Sequence, residues 1–546
     1  MAYCKHPLMA IPDETRAIAE AVCVKSAAWY LKLSRELRKL YSTIDFESLY
    51  PEAGQWGIHP FRVFAFLMLQ AIEGLSDRQA ADQVRMNIGW KFVLALPLDH
   101  EGWDASVLSR IRDRLLETDP QTMLLDAQLT SLREKNLLNT RRQRTDATSI
   151  KAWVKLLNRT ELVLETVRNA IETLSTEDPE WLISVAKQEW MARYYLDRPF
   201  NYRLPKGEKG QQELAQIAGE DGFYILGCIE NTPQTKRNFL EELEAIRALR
   251  AVLDDQFHPP DDKHGPKLRD PKELNPSGER IVSPYETEAR TASKGDKTVT
   301  GYKFHTTETC VAGSPNFITD ARVEAATKND SLTLPDIVER LREKDLQPQK
   351  LLVDGGYVNT TFFAKARNEF GLDIVSRLVN GHSWQSKENK GFDSSRFEID
   401  FAAREAVCPA KVTSSRWKQK KDGHSDIYFP EEACSICPFK EACTKAVCRI
   451  LRVPPEAVYR EQQFMRDRQK TPEFKKEYAT RAGVEGTQSE VVRVAGRQST
   501  VRGRTKTNLR YVLAAVAVNF GRLFRWEMNK RPRVTPTGKF LALAIA

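Results

Sequence analysis

Lys350-Leu-Leu-Val353-Asp354-Gly355-Gly356 is the stretch of this 546-residue chain that decides the fold of its central part. Three apolar residues followed by an acid and two glycines predict a short buried strand that ends in a tight turn. Predicted strands and helices lie on both sides of it. In chain order they are a strand at Tyr302–Cys310, a strand at Asn316–Val323, a helix at Leu332–Glu343, a helix at Thr361–Phe370 and a strand at Leu372–Ser376. This alternation predicts an α/β core.

Two isolated aspartates lie in this predicted core. Asp146 stands inside a β-leaning run, Arg144–Ile150, and Asp354 ends its own strand. Functional side chains of sheets with parallel neighbours gather at the carboxyl ends of the strands. Taken singly, Asp354 is equally compatible with a turn former and Asp146 with a loop cap.

A third acid lies in Tyr478-Ala-Thr-Arg481-Ala-Gly-Val-Glu485. Spacings of three and four residues place Tyr478, Arg481 and Glu485 on one face of a predicted helix. A carboxylate beside a phosphate-binding arginine is typical of metal-dependent phosphoryl chemistry. Together with Asp146 and Asp354, Glu485 would form a hard-oxygen site suited to two Mg²⁺ or Mn²⁺ ions about 4 Å apart. Glu485 alone could equally be a surface carboxylate.

The composition describes a globular protein with a basic charge. The net charge is +9, which favours a polyanionic partner, and the length predicts two to four domains. The N-terminus lacks the apolar segment of a signal peptide, and the longest apolar runs, Val63–Leu69 and Tyr511–Val518, are too short to cross a bilayer. We therefore expect a cytoplasmic protein whose thiols are reduced.

Residues 15–135 are predicted to be helical, with a capping box at Ser76-Asp-Arg-Gln79. An apolar stripe flanked by arginines fits a helix-turn-helix domain and a bundle with a solvated basic face equally well. The stripe is Val107, Leu108, Ile111 and Leu115, and the arginines are Arg110, Arg112 and Arg114. Further on, the sequence predicts helices over 153–255, a loop over 258–300 and helix from Thr471 through Trp526.

A polar segment near residues 380–450 carries Cys408, Cys434, Cys437 and Cys443. A Cys-x₂-Cys pair with two further thiols fits a tetrahedral structural Zn²⁺ site, which would stabilise a segment with few apolar residues. Cys448 is an alternate fourth ligand and His424 a less favoured one. The alternative is a set of ordinary reduced thiols.

Basic side chains follow Glu485 and are predicted to contact DNA phosphates, although such runs are often merely solvated. They are Arg493, Arg497, Arg502, Arg504, Lys506 and Arg510. His305, in the predicted strand Tyr302–Cys310, either touches the acidic site or is a structural core histidine.

Over about residues 50–530 the chain resembles the DDE transposases of bacterial insertion sequences, in particular those with a helical N-terminal domain and a cysteine-bearing insert before the catalytic glutamate. Seven stretches carry the resemblance. They are His59-Pro-Phe-Arg62 through Leu75-Ser-Asp-Arg78, Arg144-Thr-Asp146-Ala-Thr148, Ser283-Pro-Tyr285, Gly301-Tyr-Lys-Phe-His305, Val353-Asp354-Gly-Gly-Tyr357, Tyr478 through Glu485-Gly-Thr487, and Leu509 through Asn519.

The resemblance implies an RNase H-like catalytic core whose acids are Asp146, Asp354 and Glu485, with Tyr478 and Arg481 positioning DNA phosphates or the metal site. The family signature often has a lysine seven residues beyond its glutamate. Val492 stands there in this chain and Arg493 follows, so either Arg493 substitutes for the lysine or that phosphate contact is missing.

The expected organisation begins with a helical DNA-binding domain over 1–138, followed by an RNase H-like mixed sheet with helices over 139–379. A helical insertion at about 153–298 interrupts this core. A Cys-rich insert over 380–455 and a helical C-terminal part over 456–546 follow. The resemblance implies a nucleoid-associated DNA transposase that hydrolyses DNA at the ends of its element and joins the 3′ hydroxyl to target DNA. Double-stranded DNA is the expected partner and a homodimer the expected assembly. A related nuclease without strand transfer, and a non-catalytic DNA-binding protein, are the alternatives.

Overall fold

The centre of the molecule is a six-stranded mixed sheet. A computed structural model describes residues 8–42, 58–107, 112, 116, 123–196, 204–261, 263–295, 297–378, 384–387 and 391–528. Its strands, in chain order, are β1 Arg142–Lys151, β2 Phe257–His258, β3 Lys267–Leu268, β4 Arg290–Lys294, β5 Lys297–Thr309, β6 Ile318–Ala325, β7 Lys350–Val353, β8 Asp373–Val375, β9 Glu398–Asp400, β10 Glu405–Val407, β11 Arg416–Gln419, β12 Ser425–Tyr428 and β13 Ile450–Val453. The longer α-helices are Asp13–Val22, Trp29–Tyr41, Pro60–Glu73, Asp77–Met86, Ile88–Val93, Met123–Glu134, Arg159–Glu177, Pro179–Val185, Glu208–Glu230, Gln234–Glu242, Glu244–Gln256, Asp330–Glu343, Thr360–Phe370, Glu456–Arg468, Pro472–Ala479, Gly483–Ala495 and Arg504–Glu527.

Strand β1 lies in the middle of the sheet, antiparallel to β5 on one side and parallel to β7 on the other. The outer neighbours are β4 and β6, both antiparallel to β5, and β8, parallel to β7. Thr145 of β1 is the register partner of Val353, the last residue of β7. Because the two strands run in the same direction, the next residues, Asp146 and Asp354, lie side by side.

The predicted order of strands and helices in the core is observed. Strands β5 to β8 begin and end within a few residues of their predicted bounds, apart from the longer N-terminal part of β5. One helix lies between β6 and β7 along the chain, and another between β7 and β8. Asp330–Glu343 begins after the cap Asn329, and Thr360–Phe370 begins after the cap Asn359. Such short polar caps satisfy backbone N–H groups that have no partner within the helix.

The prediction of a loop over 258–300 was wrong. This range contains β3, β4 and the first residues of β5, and Gly295 turns the chain between β4 and β5 with a φ of 59°. The residues of β4, Arg290–Lys294, are mostly polar and gave no strand signal of their own. They form a strand because they pair with the N-terminal half of β5, which is a long-range condition that local propensity does not contain.

The helix Arg504–Glu527, here the tail helix, connects the sheet to the N-terminal helices. One continuous apolar core includes residues of all three parts. Asn519 bonds both backbone groups of Ile318 at the edge strand β6, and Gln128 donates to the carbonyl of Val516. The predicted capping box at Ser76 is present. In the predicted stripe, Leu108, Ile111 and Leu115, with the flanking Arg110 and Arg114, lie outside the described residues.

Two further units have apolar cores of their own. The helices between Arg159 and Gln256 pack around a cluster that includes Val163, Trp190 and Leu249. Strands β9 to β13 enclose a much smaller cluster. Its fully buried members are Phe397, Ala406, Ile427, Phe429, Leu451 and Val453.

The prediction of continuous helix from Thr471 to Trp526 was wrong in two places. A 3₁₀ turn at Thr480–Ala482 separates Pro472–Ala479 from Gly483–Ala495, here the glutamate helix. A non-helical segment then runs from Gly496 to Gly503, whose φ angles are 89° and 84°. This segment leaves the helical path because its backbone pairs with the end of β1, where Lys151 N–H donates to the carbonyl of Arg497 at 3.0 Å. No helix in the described ranges is long and apolar enough to cross a membrane.

Candidate active site

Asp146 and Asp354 face each other at the carboxyl edge of β1 and β7. Each is half-buried, and each accepts a hydrogen bond from the next backbone N–H, at 2.8 Å from Ala147 and 2.6 Å from Gly355. Burial raises the pKa of Asp146, the N–H of Ala147 and the Arg481 guanidinium oppose this rise, and the negative charge of Asp354 adds to it. The carboxylate of Asp354 is therefore close enough to influence the ionisation of Asp146.

Arg481 connects these acids to Glu485. Its Nη1 lies 3.0 Å from Asp146 Oδ2, and its Nη2 lies 3.3 Å from Glu485 Oε1. Burial by itself would lower the pKa of Arg481, but the charges of Asp146, Asp354 and Glu485, with the Tyr478 phenol, outweigh it and raise that pKa. The guanidinium thus contacts two of the three predicted acids, Asp146 and Glu485, and the charge of Asp354 acts on it from further away.

The acids fit divalent cations in donor type and in charge. They supply only hard oxygen donors, and they already hold one cationic side chain among them. As the side chains stand, however, no group of three His, Cys, Asp or Glu residues within the described part of the chain is close enough to hold a metal ion. Arg481 spans the gap between Asp146 and Glu485.

A buried ionic network fixes the glutamate helix against the sheet. Glu308 of β5 is fully buried and is the register partner of Arg144, whose Nε donates to Glu308 Oε1 at 2.7 Å. The other oxygen of Glu308 accepts bonds of 2.6 Å from Thr487 of the glutamate helix and from Arg522 of the tail helix. Burying such charges costs little free energy only when each of them is hydrogen-bonded to a partner, as the Glu308 carboxylate is here.

None of the predicted site residues belongs to this network, which consists of Arg144, Glu308, Thr487 and Arg522. The one available signal was the position of two opposite charges, Arg144 and Glu308, inside predicted β-strands. Arg144 also donates to the carbonyl of Thr480 at 2.6 Å, so it holds the 3₁₀ turn that carries Arg481. The network therefore sets where Arg481 and Glu485 stand relative to Asp146.

Gly483 begins the glutamate helix where that helix approaches Arg144 most closely. A Cβ at this position would lie 2.5 Å from Nη2 of Arg144 and nearer still to its Cζ and Nη1. Side-chain carbon atoms do not approach other atoms so closely, so a larger residue at position 483 would require either the helix or the Arg144 side chain to move.

Tyr478 is buried rather than open to a phosphate. Its ring stacks on Phe474 with centroids 5.4 Å apart, and it packs against Leu352 and Val375 at the ends of β7 and β8. The Arg481 guanidinium lies 5.8 Å from the Tyr478 ring centroid. The three side chains predicted to share a helix face are therefore neighbours, although a 3₁₀ turn interrupts the helix. In this structure Tyr478 supports Arg481.

His305 lies behind the turn that follows Asp354. It is fully buried, and its Nδ1 is 2.7 Å from the hydroxyl of Tyr357. Burial lowers the pKa of His305 to about 4, so the ring is neutral at physiological pH. These contacts place His305 as a structural link between β5 and the Gly355–Tyr357 turn.

The basic residues after Glu485 fall into two groups. Arg493, Arg497 and Arg502 are exposed, and Arg502 lies over the rings of Trp153 and Tyr285. Lys506 is also exposed, whereas Arg504 pairs with Glu288 and Glu324, and Arg510 donates to the carbonyl of Ala495 at 2.9 Å. Val492, at the position where related chains often have lysine, is half-buried.

The four predicted zinc ligands lie around one cavity. Cys408, Cys434, Cys437 and Cys443 line one cavity of about 290 Å³. Burial raises the pKa of the Cys443 thiol, and the other three thiols are close enough to raise it further. Cys448 does not line this cavity, and His424 lies in the β11–β12 turn beside Asp422. The thiols as they stand are not within metal-holding distance of one another in groups of three or more, among the described residues.

Two family models match the chain. Residues 407–524 match the transposase DDE domain, and residues 30–114 match the transposase domain (DUF772). Neither the curated proteins nor the solved structures contain a match to this chain. The first match includes Glu485 and the four cysteines of the cavity, whereas Asp146 and Asp354 lie outside it.

Both matched regions are transposase domains, and the fold between them is a mixed α/β sheet with acids at its carboxyl edge. The two matches therefore support an insertion-sequence DDE transposase.

Proposed function

We propose that this protein transposes DNA by cutting phosphodiester bonds at the ends of an insertion sequence and joining the new 3′ ends to target DNA. The observation that carries the proposal is the placement of Asp146 and Asp354 on adjacent parallel strands, with Glu485 facing them across Arg481. The antiparallel strands β6, β5 and β1, followed by the parallel strands β7 and β8, support an RNase H-like core.

In this proposal Asp146, Asp354 and Glu485 would hold two Mg²⁺ or Mn²⁺ ions. Such ions would polarise the scissile phosphate and stabilise charge on the attacking and leaving oxygens. The buried network around Glu308 keeps the glutamate helix, and hence Glu485, in register with β1. The exposed Arg493, Arg497 and Arg502 bind phosphates of the DNA strand beside the acids.

The bonds exchanged define the reaction. In the first step, a water oxygen bonds to phosphorus and the bond from phosphorus to the 3′ oxygen breaks, which leaves a 3′ hydroxyl on the element. In the second step, that hydroxyl loses its proton, its oxygen bonds to a phosphorus of the target, and a target P–O bond breaks. The second step needs no nucleotide hydrolysis because one phosphodiester replaces another.

The proposed organisation follows from the predicted division of the chain. The helical domain over 1–138, or the basic segment after Glu485, would recognise the terminal inverted repeats. Two element ends must be handled together, so we propose a homodimer working on double-stranded DNA of the bacterial nucleoid. The core over 139–379 would carry two additional units, the helical insertion at about 153–298 and the Cys-rich insert over 380–455. The C-terminal part over 456–546 carries Glu485.

Cleavage and joining of a duplex that carries the element's terminal repeats, assayed with Mg²⁺, test the proposal. Wild type should produce both cut and joined products, and Asp354→Asn should lose both. Cutting without joining would favour a nuclease, and binding without cutting would favour a non-catalytic DNA-binding protein. Equal products from wild type and Asp354→Asn would refute the site.

We also propose that Cys408, Cys434, Cys437 and Cys443 hold a structural Zn²⁺. The support is their convergence on one cavity beside an apolar core of six fully buried residues, which is too small to stabilise the segment alone. Purified protein should contain one zinc per chain, and Cys434→Ser should lose it, whereas Cys448→Ser should keep it. Metal analysis that finds no zinc in wild type would refute this site.

A further inference from the structure

Arg481 is the cation that lies among the three acids. It contacts Asp146 Oδ2 at 3.0 Å and Glu485 Oε1 at 3.3 Å, which are oxygens that divalent ions would need. The Arg481 and Asp146 side chains are each 16% exposed, whereas that of Glu485 is 63% exposed. The contact to Asp146 is therefore the shielded one, and the contact to Glu485 is open to solvent.

We propose that Arg481 is an internal counter-ion that competes with divalent cations for Asp146 and Glu485, and that a DNA phosphate draws it away from them. This inference rests on the proposed function of the acids. Metal binding and DNA binding then favour each other, because one arginine cannot bridge the acids and bind a phosphate at the same time.

The competition follows from charge. Three carboxylates brought together without a cation repel one another, and a guanidinium in their midst removes most of that cost. Arginine cannot give up its proton at physiological pH, so it leaves the acids only by moving. A divalent ion must displace it, and the affinity for that ion is reduced by the strength of the ion pairs that break.

The release follows from geometry. A guanidinium is a planar fork that binds two oxygens of a phosphate as well as it binds carboxylates. Arg481 stands on the one-turn 3₁₀ segment Thr480–Ala482 at the edge of the acidic site.

The test measures Mn²⁺ binding to the full chain by calorimetry, with and without a DNA duplex and without any turnover. In the absence of DNA, Arg481→Gln should bind Mn²⁺ about tenfold more tightly than wild type, because the competing charge is gone. Added duplex should tighten Mn²⁺ binding to wild type by about fivefold or more and leave the Gln variant unchanged. Arg481→Lys keeps the charge and should stay near wild type.

The control is Arg377→Gln, which removes a positive charge over the Tyr478 ring and should keep both the wild-type affinity and the coupling to DNA. The inference would be overturned if Arg481→Gln bound Mn²⁺ no more tightly than wild type. It would also be overturned if the duplex tightened Mn²⁺ binding to Arg481→Gln as much as it does for wild type. If Asp146→Asn bound Mn²⁺ as tightly as wild type does, the acidic site itself, and with it the proposed function, would be wrong. The two failures are thus distinguishable.

Discussion

The close approach of Gly483 to Arg144 gives the sharpest prediction for the site. In Gly483→Ala the new methyl group would stand 2.5 Å from Nη2 of Arg144, and a carbon–nitrogen contact is comfortable only near 3.5 Å. Because Cζ and Nη1 of Arg144 would be nearer still, more than about 1 Å of movement is required. Either the glutamate helix shifts away from β1, or Arg144 gives up its bonds to Glu308 and Thr480.

Both responses disturb Glu485, which stands two residues further along the same helix. We expect Gly483→Ala to lose about 1–3 kcal/mol of stability, the usual cost of overpacking. A displacement of about 1 Å at a reacting centre costs about a hundredfold in rate, so DNA cleavage should fall by that factor. The measurements are thermal unfolding and cleavage of an end-bearing duplex at saturating Mg²⁺.

Gly486 supplies the matched control because it lies in the same helix and a Cβ there would have no atom within 4 Å. Gly486→Ala should be fully active and up to about 1 kcal/mol more stable than wild type, since alanine favours helix. If Gly483→Ala were as stable and as active as Gly486→Ala, the docking of the glutamate helix on Arg144 would be refuted.

Two further predictions concern buried charge. Glu308→Ala leaves Arg144 and Arg522 without their shared carboxylate and should cost about 3–5 kcal/mol in urea unfolding; a loss below about 1 kcal/mol would contradict the network. Asp146 has a pKa above its unfolded value, so its contribution to stability is present below the unfolded pKa and is lost as pH rises through the folded one. Asp146→Asn should therefore raise Tm at pH 7, with a smaller difference from wild type at pH 3, and it should abolish cleavage because it removes a proposed site carboxylate. A lower Tm at pH 7 would show that the ion pair with Arg481 outweighs burial.

Local patterns predicted the core strands and the two helices between them because each of these segments carries its own signal. Strand β7 is apolar apart from Lys350 and is followed by Asp354 and two glycines, and the helix Thr360–Phe370 begins at an asparagine cap. Strand β4 has no such signal and depends on β5 for its structure. The break at Gly496–Gly503 likewise depends on pairing with the end of β1.

The sequence by itself was enough to propose a type of chemistry, since residue type, spacing and the family resemblance together predict Asp146, Asp354 and Glu485 as site residues, with Arg481 four residues before the last of them. Only the tertiary structure decided how these groups are held. Glu308 is bonded to Arg144, Thr487 and Arg522, which lie 164, 179 and 214 residues away along the chain. Arg481 likewise meets Asp146 across 335 residues. Local sequence propensity does not predict such ion pairs, because they form between residues that only the fold brings together. The attraction between the two charges becomes strong only when burial excludes water from both of them.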